Sequence, residues 1–232
     1  MIGTSAQRVF DLIERHDIDC DARQDGFYTP AHTEALADTQ RGYADQWRAR
    51  GHDVDFVAGD EVRRLFGADR YCGALRFADG GNLNPLAYVR GLAAAAVRHG
   101  ARLFANSPVR SLERRNDGWI CRTPGGTVRA GRVVLGANGG NAALHPAMRR
   151  TTLPLHVFQF ATAPRDAAQR EVILPRGGAF TDKVPYLFSA RLDGHGHLIS
   201  AFPVSFLVRG DEALYREARR RVKQHFVAMP DP

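Results

Sequence analysis

Lysine is almost missing from this chain. Lys183 and Lys223 are its only two, so nearly all of the positive charge behind a net +7 is arginine. A bias of that kind follows genomic codon composition as readily as ligand chemistry, and the arginines are scattered apart from the stretch 216–221. There Glu217 and Arg221 have the i,i+4 spacing of a solvated helix face, so a nucleic-acid partner is not expected. Cysteine is scarce too. Cys20, Cys72 and Cys121 stand far apart with no CxxC pair, which excludes a disulfide scaffold and a zinc knuckle. Long apolar runs are absent. The longest, Leu92 to Val97, is six residues and mostly alanine, far short of the ~18 a membrane span needs. No apolar core follows Met1–Ser5 as in a signal peptide. No membrane partner and a reducing, cytoplasmic setting are therefore expected. No G-x-G-x-x-G, Walker or G-x-S-x-G motif occurs, which argues against P-loop and serine-hydrolase chemistry. His195-Gly196-His197 has a spacing that can bind metal, but no third ligand stands nearby in sequence and Asp193-Gly194 reads as a turn, so no metal is expected.

What is present suits a globular protein. The 232 residues, 44% hydrophobic and 25% charged, can bury one large core or two small ones. Helical spacing predicts a helix over residues 5–16. A second is predicted over 31–50, with Ala35, Leu36, Tyr43 and Trp47 as its buried stripe, and a short third from Asp60 to Phe66. The first third thus reads as helical. Asn84 is a good N-cap and Pro85 a favoured first residue for a helix over 85–99, presenting Leu86, Val89, Ala93, Ala96 and Val97 on one face. A strand over 101–106 should follow. Asn116-Asp117-Gly118 and Pro124-Gly125-Gly126 then divide residues 109–130 into an antiparallel meander. The last third reads as strands over 153–163, 185–192 and 197–202, then a charged helix over 212–226.

The densest signal lies in Val128 to Gly140. Val133-Val134-Leu135 is apolar on both faces, as in a buried parallel strand, and breaks off into Gly136, Ala137, Asn138, Gly139 and Gly140. Ligands of open parallel sheets sit beyond the carboxyl ends of the strands, and small residues there let a ligand approach the backbone. A plain Asn-Gly turn explains the same residues without a ligand.

The order of these elements carries a resemblance. A capped helix containing Asn84-Pro85-Leu86, a strand ending at Ser107-Pro108-Val109, a three-stranded meander and a strand ending in Gly136-Ala137-Asn138-Gly139 resemble the D-amino-acid-oxidase-like superfamily of FAD-dependent oxidoreductases. Ile18-Asp19-Cys20-Asp21, Gly80-Gly81-Asn82-Leu83-Asn84-Pro85 and Phe158-Gln159-Phe160-Ala161-Thr162-Ala163-Pro164 are similar to its gamma-glutamylputrescine oxidoreductase group. The resemblance covers nearly the whole chain, with two departures. The family's opening strand, glycine turn and helix, which meet the pyrophosphate, have no counterpart here, and neither does its carboxyl-terminal segment, so the sequence resembles the middle of a larger enzyme.

The resemblance implies an α/β fold, a mixture in which an incomplete FAD-binding parallel sheet with a β-meander accompanies an antiparallel substrate-domain sheet. It divides the chain into a helical segment 1–70, a partial FAD-binding domain 71–150 (helix 85–99, strand 101–106, meander 109–130, strand 132–137) and a substrate domain 151–232. FAD is the implied cofactor, with Val109 along its adenine and ribose end and Gly136, Ala137, Asn138 and Gly139 near its pyrophosphate. On the substrate sheet, Tyr186 and Arg191 are the candidates for binding the carboxylate of an amine or amino-acid substrate. The implied reaction is hydride transfer from a CH–NH group to the flavin. Because the flavin accepts the hydride itself, no obligatory acid–base pair is expected and no catalytic residue is assigned. The alternative is a non-catalytic small-molecule or partner-binding remnant of the same fold. Sequence assigns no oligomeric state.

Overall fold

A computed structural model describes residues 4–151, 153, 155–183, 187–204 and 210–226. Contacts divide the chain into two units, residues 1–95 with 156–232, and residues 96–155. The expected segments 1–70, 71–150 and 151–232 cross this division. The reason is one pairing: strand β1 (Phe27–Ala31) runs parallel to a strand from the last third (Ala179–Thr181), which puts both ends of the sequence into one sheet.

The larger unit is built on that sheet. Helix α1 (Ser5–His16) leads to β1, then α2 (Glu34–Arg48), β2 (Val54–Ala58), α3 (Gly59–Phe66) and β3 (Gly73–Phe77). The first third is therefore not all helix. Its strands were hard to read because β1 is Phe-Tyr-Thr-Pro-Ala, buried along most of its length and interrupted by Pro30. Of β1, only Phe27 and Tyr28 pair with the Ala179–Thr181 strand, so Pro30 lies beyond that ladder, where a missing amide donor is tolerated.

Thr33 caps α2 by accepting from the Leu36 amide at 3.2 Å. The buried face of α2 is Ala37, Gln40 and Ala44, not the expected stripe, and Tyr43 is exposed. Gln40 explains the rotation. Its Oε1 accepts from the Leu75 amide of β3 at 3.1 Å, which turns that face of the helix toward the sheet.

In the smaller unit and its approach, α4 (Pro85–Arg98) is capped as expected, Asn84 Oδ1 accepting from the Leu86 and Ala87 amides at 3.1 Å each. Strands β4 (Ser111–Arg115), β5 (Gly118–Thr123) and β6 (Gly126–Ala130) form the expected meander, with Leu112, Cys121 and Val128 opposite one another. Residues 101–106 and 132–137, expected as parallel strands, are not strands here. A strand exists only where a neighbour completes its ladder, and neither segment pairs with any described strand. The expected apolar surfaces are open in consequence: Val134 is 92% exposed, and Leu86, Val89, Val97, Leu103 and Phe104 are exposed as well.

The larger unit resumes with β7 (Val157–Pro164), α6 (Ala167–Val172), β8 (Ala179–Thr181), β9 (Ser189–Leu192), β10 (His197–Pro203) and α7 (Asp211–His225). Between β4 and β7 lie a 3-10 turn (Asn138–Ala143) and α5 (Pro146–Thr151). The sheet order is β2-β3-β1-β8-β9-β10-β7, antiparallel apart from the β1–β8 pair. One sheet face carries the main core, where Tyr28, Phe180, Ala190 and Leu198 meet Val62 and Phe66 of α3 and Val222 of α7, with Phe188 and Phe226 beside them. Burying each phenylalanine contributes about 1.5–3 kcal/mol. The alternation that sends these side chains to the core turns every second residue to the opposite face.

Candidate functional site

That opposite face carries the candidate site. Strand β10 alternates strictly, with Leu198, Ser200 and Phe202 buried and His197, Ile199, Ala201 and Pro203 partly open. Register aligns one position from each of five strands into a lateral row, Phe27–Ala179–Arg191–Ile199–Ala161, in which Ala179 is buried and the other four are at least partly open. A concavity of ≈ 260 Å³ lies along it, bounded by the Gly81-Asn82-Leu83 loop and by Gln159, Thr181, Ser189 and Ala201.

The loop is held by its glycines. A Cβ on Gly80 would stand 2.5 Å from Phe27 Cβ, and one on Gly81 would stand 2.1 Å from the Arg23 carbonyl oxygen. Asn82 and Arg23 exchange backbone hydrogen bonds of 2.8 and 2.9 Å, which fastens the loop at the rim. Asp25 secures the far side, accepting from the Gly178 amide at 3.0 Å just before β8.

Arg191 is the single charged residue lining the concavity, and no described residue forms an ion pair with it. A half-buried guanidinium among small and apolar neighbours has the chemistry to bind a planar anion such as a carboxylate. Tyr186, the other expected substrate residue, falls outside the described residues. Sequence reasoning did not single out Gln159, Thr181 and Ser189 as site residues. The signal that finds them is the period-2 pattern of β7 to β10 combined with register, which spacing alone does not supply.

The two histidines near the end of this sheet are engaged in a turn. Asp193 accepts from the His195 and His197 amides at 2.9 Å each, and His197 Nδ1 lies 2.8 Å from its carboxylate. Burial pushes the Asp193 carboxyl up, but these hydrogen bonds outweigh it and hold the group below the ordinary aspartate range.

A second polar cluster lies under the core face. Asp182, fully buried directly after β8, accepts from the Tyr71 hydroxyl at 3.1 Å and the Phe188 amide at 2.9 Å, and its Oδ2 lies 3.3 Å from His225 Nε2. His225 Nδ1 donates to the Arg221 carbonyl at 2.8 Å, and its ring stacks on Phe188 at 3.7 Å between centroids. Burial raises the Asp182 carboxyl, yet the partners at His225, Phe188 and Tyr71 bring it below its ordinary value. Burial and the adjacent carboxylate push the Tyr71 phenol up. Asp182 also closes the β8–β9 hairpin, whose second strand carries Arg191.

The residues expected along FAD lie in the smaller unit. Val109 precedes β4 at 36% exposure, and Gly136, Ala137, Asn138 and Gly139 follow one another on an exposed turn. Nothing lies within 4 Å of a Cβ built on Gly136 or Gly139, and Asn138 adopts φ +48. The Ala137 amide donates to Asn141 Oδ1 at 3.2 Å, so this donor is already engaged. No described hydrogen bond joins Val109 to this turn. These residues fit contact with the edge of a large ligand. They do not form a cradle for two phosphates.

The fold is a mixed α/β arrangement, a seven-stranded sheet with one parallel pair and a separate three-stranded antiparallel sheet. The chain belongs to the FAD dependent oxidoreductase (DAO) family, whose profile matches residues 1–232. It is 28% identical over 159 residues to gamma-glutamylputrescine oxidoreductase of Escherichia coli K12, a match covering 66% of this chain and 36% of that one. Its fold is that of glycine oxidase from Geobacillus kaustophilus (TM-score 0.70, 21% identity, 96% of this chain and 60% of that one). It is also that of L-proline dehydrogenase from P. horikoshii (TM-score 0.77, 16% identity, 96% and 62%). The chain spans 36% to 55% of the length of three curated relatives it matches.

Proposed function

We propose that the protein is an FAD-dependent oxidoreductase acting on the CH–NH group of an amine or amino acid, and that Arg191 binds the substrate's carboxylate. The observation that carries the reading is the lone guanidinium, without a counter-charge, in a row of small and apolar residues on the open sheet face. FAD, when bound, supplies the two-electron acceptor for loss of a hydride from the carbon bearing nitrogen, which leaves an iminium. The chain's own residues orient the substrate. Arg191 fixes its acid end, Phe27 and Ile199 give its apolar part a surface that excludes water, and Gln159, Thr181 and Ser189 offer neutral hydrogen-bonding groups. Tyr186 belongs to this reading as a second carboxylate ligand. Val109 and the turn Gly136-Ala137-Asn138-Gly139 are the cofactor contacts, reached through backbone left bare by small side chains.

A small amine or amino acid, not a nucleic acid, is the proposed partner. Much of the arginine is paired locally with acidic neighbours, as in Arg41–Asp38, Arg64–Glu61 and Arg220–Glu217, and is not pooled into one basic face. No described helix is long and apolar enough to cross a membrane, and the three cysteines are unpaired, which supports a reducing cytoplasmic location.

Equilibrium binding of amino acids and of their decarboxylated amines tests the assignment. Amino acids should bind the wild type more tightly than the matching amines. Arg191→Ala should weaken amino-acid binding roughly 10- to 100-fold, the worth of a charge-assisted pair, and leave amine binding unchanged. Equal loss for both ligand classes, or none, would remove Arg191 from the carboxylate site.

A further inference from the structure

The same sheet face continues past Phe27 into a second concavity. Register extends the lateral row through Phe77 to Val54, so Phe27, Phe77 and Val54 form a floor across β1, β3 and β2. The volume above it is ≈ 600 Å³ and is walled by Trp47 and His52. Trp47 stands edge-on to His52 with centroids 4.9 Å apart and edge-on to Phe77 at 6.3 Å, so the aromatic walls are locked against one another. Asp53 and Asp79 also line it, neither in an ion pair with any described residue. Although the chain carries 32 lysines and arginines, none lines this concavity.

Aromatic faces attract cations through the ring quadrupole, and the attraction grows as the cation loses water. Carboxylates in the lining act in the same direction. An apolar volume of this size accommodates a small molecule, and the local charge selects its sign. We propose that this concavity is a binding site for a small organic ammonium ion, an amine or quaternary ammonium with an apolar body. In this arrangement the body lies on Phe27, Phe77 and Val54, and the charged head sits between Trp47 and the two carboxylates. The proposal is independent of the role given to Arg191. The two concavities share Phe27 and Gly81 as lining residues, so they are neighbours on one face.

Trp47 and Trp119 are the only tryptophans, so Trp119→Phe leaves Trp47 as the sole indole reporter. This variant is titrated with phenethylammonium, with benzyltrimethylammonium as a permanent cation and with phenethyl alcohol as the neutral analogue. Calorimetry on the unaltered chain repeats each titration without relying on the fluorescent variant. Both cations should give a saturable response, with the alcohol at least about tenfold weaker. Asp53→Asn with Asp79→Asn should weaken the cations about tenfold and leave the alcohol unchanged. No saturable binding, alcohol binding equal to cation binding, or cation binding that survives the double substitution would each overturn the proposal.

Discussion

Replacing Asp182 by alanine should be among the most damaging single changes to the larger unit. Asp182 is fully buried, and its carboxylate faces the Tyr71 hydroxyl, the Phe188 amide and His225 Nε2, from three separate parts of the chain. Alanine leaves all three polar groups without their partner in a region that water does not reach. Leaving a buried polar group unsatisfied costs about 1–3 kcal/mol, so the loss of this shared acceptor should cost about 3–5 kcal/mol, a large part of a total stability of about 5–15 kcal/mol. For a domain of this size that is a fall in Tm of roughly 6–20 °C. Asp182→Asn keeps an acceptor for Phe188 and should cost only about 1–2 kcal/mol. The pair also separates charge from shape. The folded carboxyl titrates below its ordinary value, so its contribution is complete above about pH 4, the unfolded value, and disappears as pH falls through the folded one. The asparagine variant should therefore lose part of the wild type's acid-induced destabilisation. Thermal unfolding from pH 2 to pH 7 measures both effects. If Asp182→Ala melts within about 2 °C of wild type, or if Asp182→Asn shows the same acid dependence as wild type, the buried cluster does not support the fold in the way argued.

Other outcomes follow from the same coordinates. Gly67→Ala should cost about 4 kcal/mol or more, since its Cβ would stand 1.6 Å from the Val172 carbonyl oxygen at φ +69. Gly100→Ala, at φ +88 with open space around it, should cost only the left-handed penalty of about 1–2 kcal/mol, and urea midpoints compare the two. Val134→Asp should leave stability within about 0.5 kcal/mol of wild type, because Val134 is 92% exposed; a large loss would show that this segment is covered in solution. The cofactor contacts at Val109 and the Gly136-Ala137-Asn138-Gly139 turn, taken alone, should hold FAD more weakly than micromolar, as followed by flavin fluorescence. They are exposed edges and the Ala137 amide is engaged. Two or three missing charge-assisted hydrogen bonds are worth about 3–9 kcal/mol, or roughly two to six decades of affinity.

Local chemistry was legible in the sequence wherever one short segment settles the structure. The Asn84 cap, the turns at Asn116-Asp117 and Pro124-Gly125, and the ends of α1 depend on neighbours a few residues away, and each could be read directly. Strands were legible only in part, because a strand depends on its partner. Val133-Val134-Leu135 has the composition of a central strand but no described ladder, whereas Pro-bearing β1 has poor strand composition and a central place. At the site, Arg191 could be named from its type and its position in a β-rich region. The row that surrounds it was hidden, since Phe27 and Ala161 become its neighbours only through four successive registers.

The parallel seam between β1 and β8 has a consequence for how this chain acquires its structure. Only two register pairs join the strands, Phe27 with Ala179 and Tyr28 with Phe180, about 150 residues apart in sequence. Strands β1, β3 and β2 can pair as soon as residue 77 has left the ribosome, but Phe66 and Tyr71 then lack part of their packing until Phe180 arrives against both. Contacts between residues so distant close late and slowly, and exposed aromatic surface favours association with other chains in the interval. Synthesis rate and chaperone supply should therefore govern the yield of folded protein more strongly than any change on the open face of the sheet.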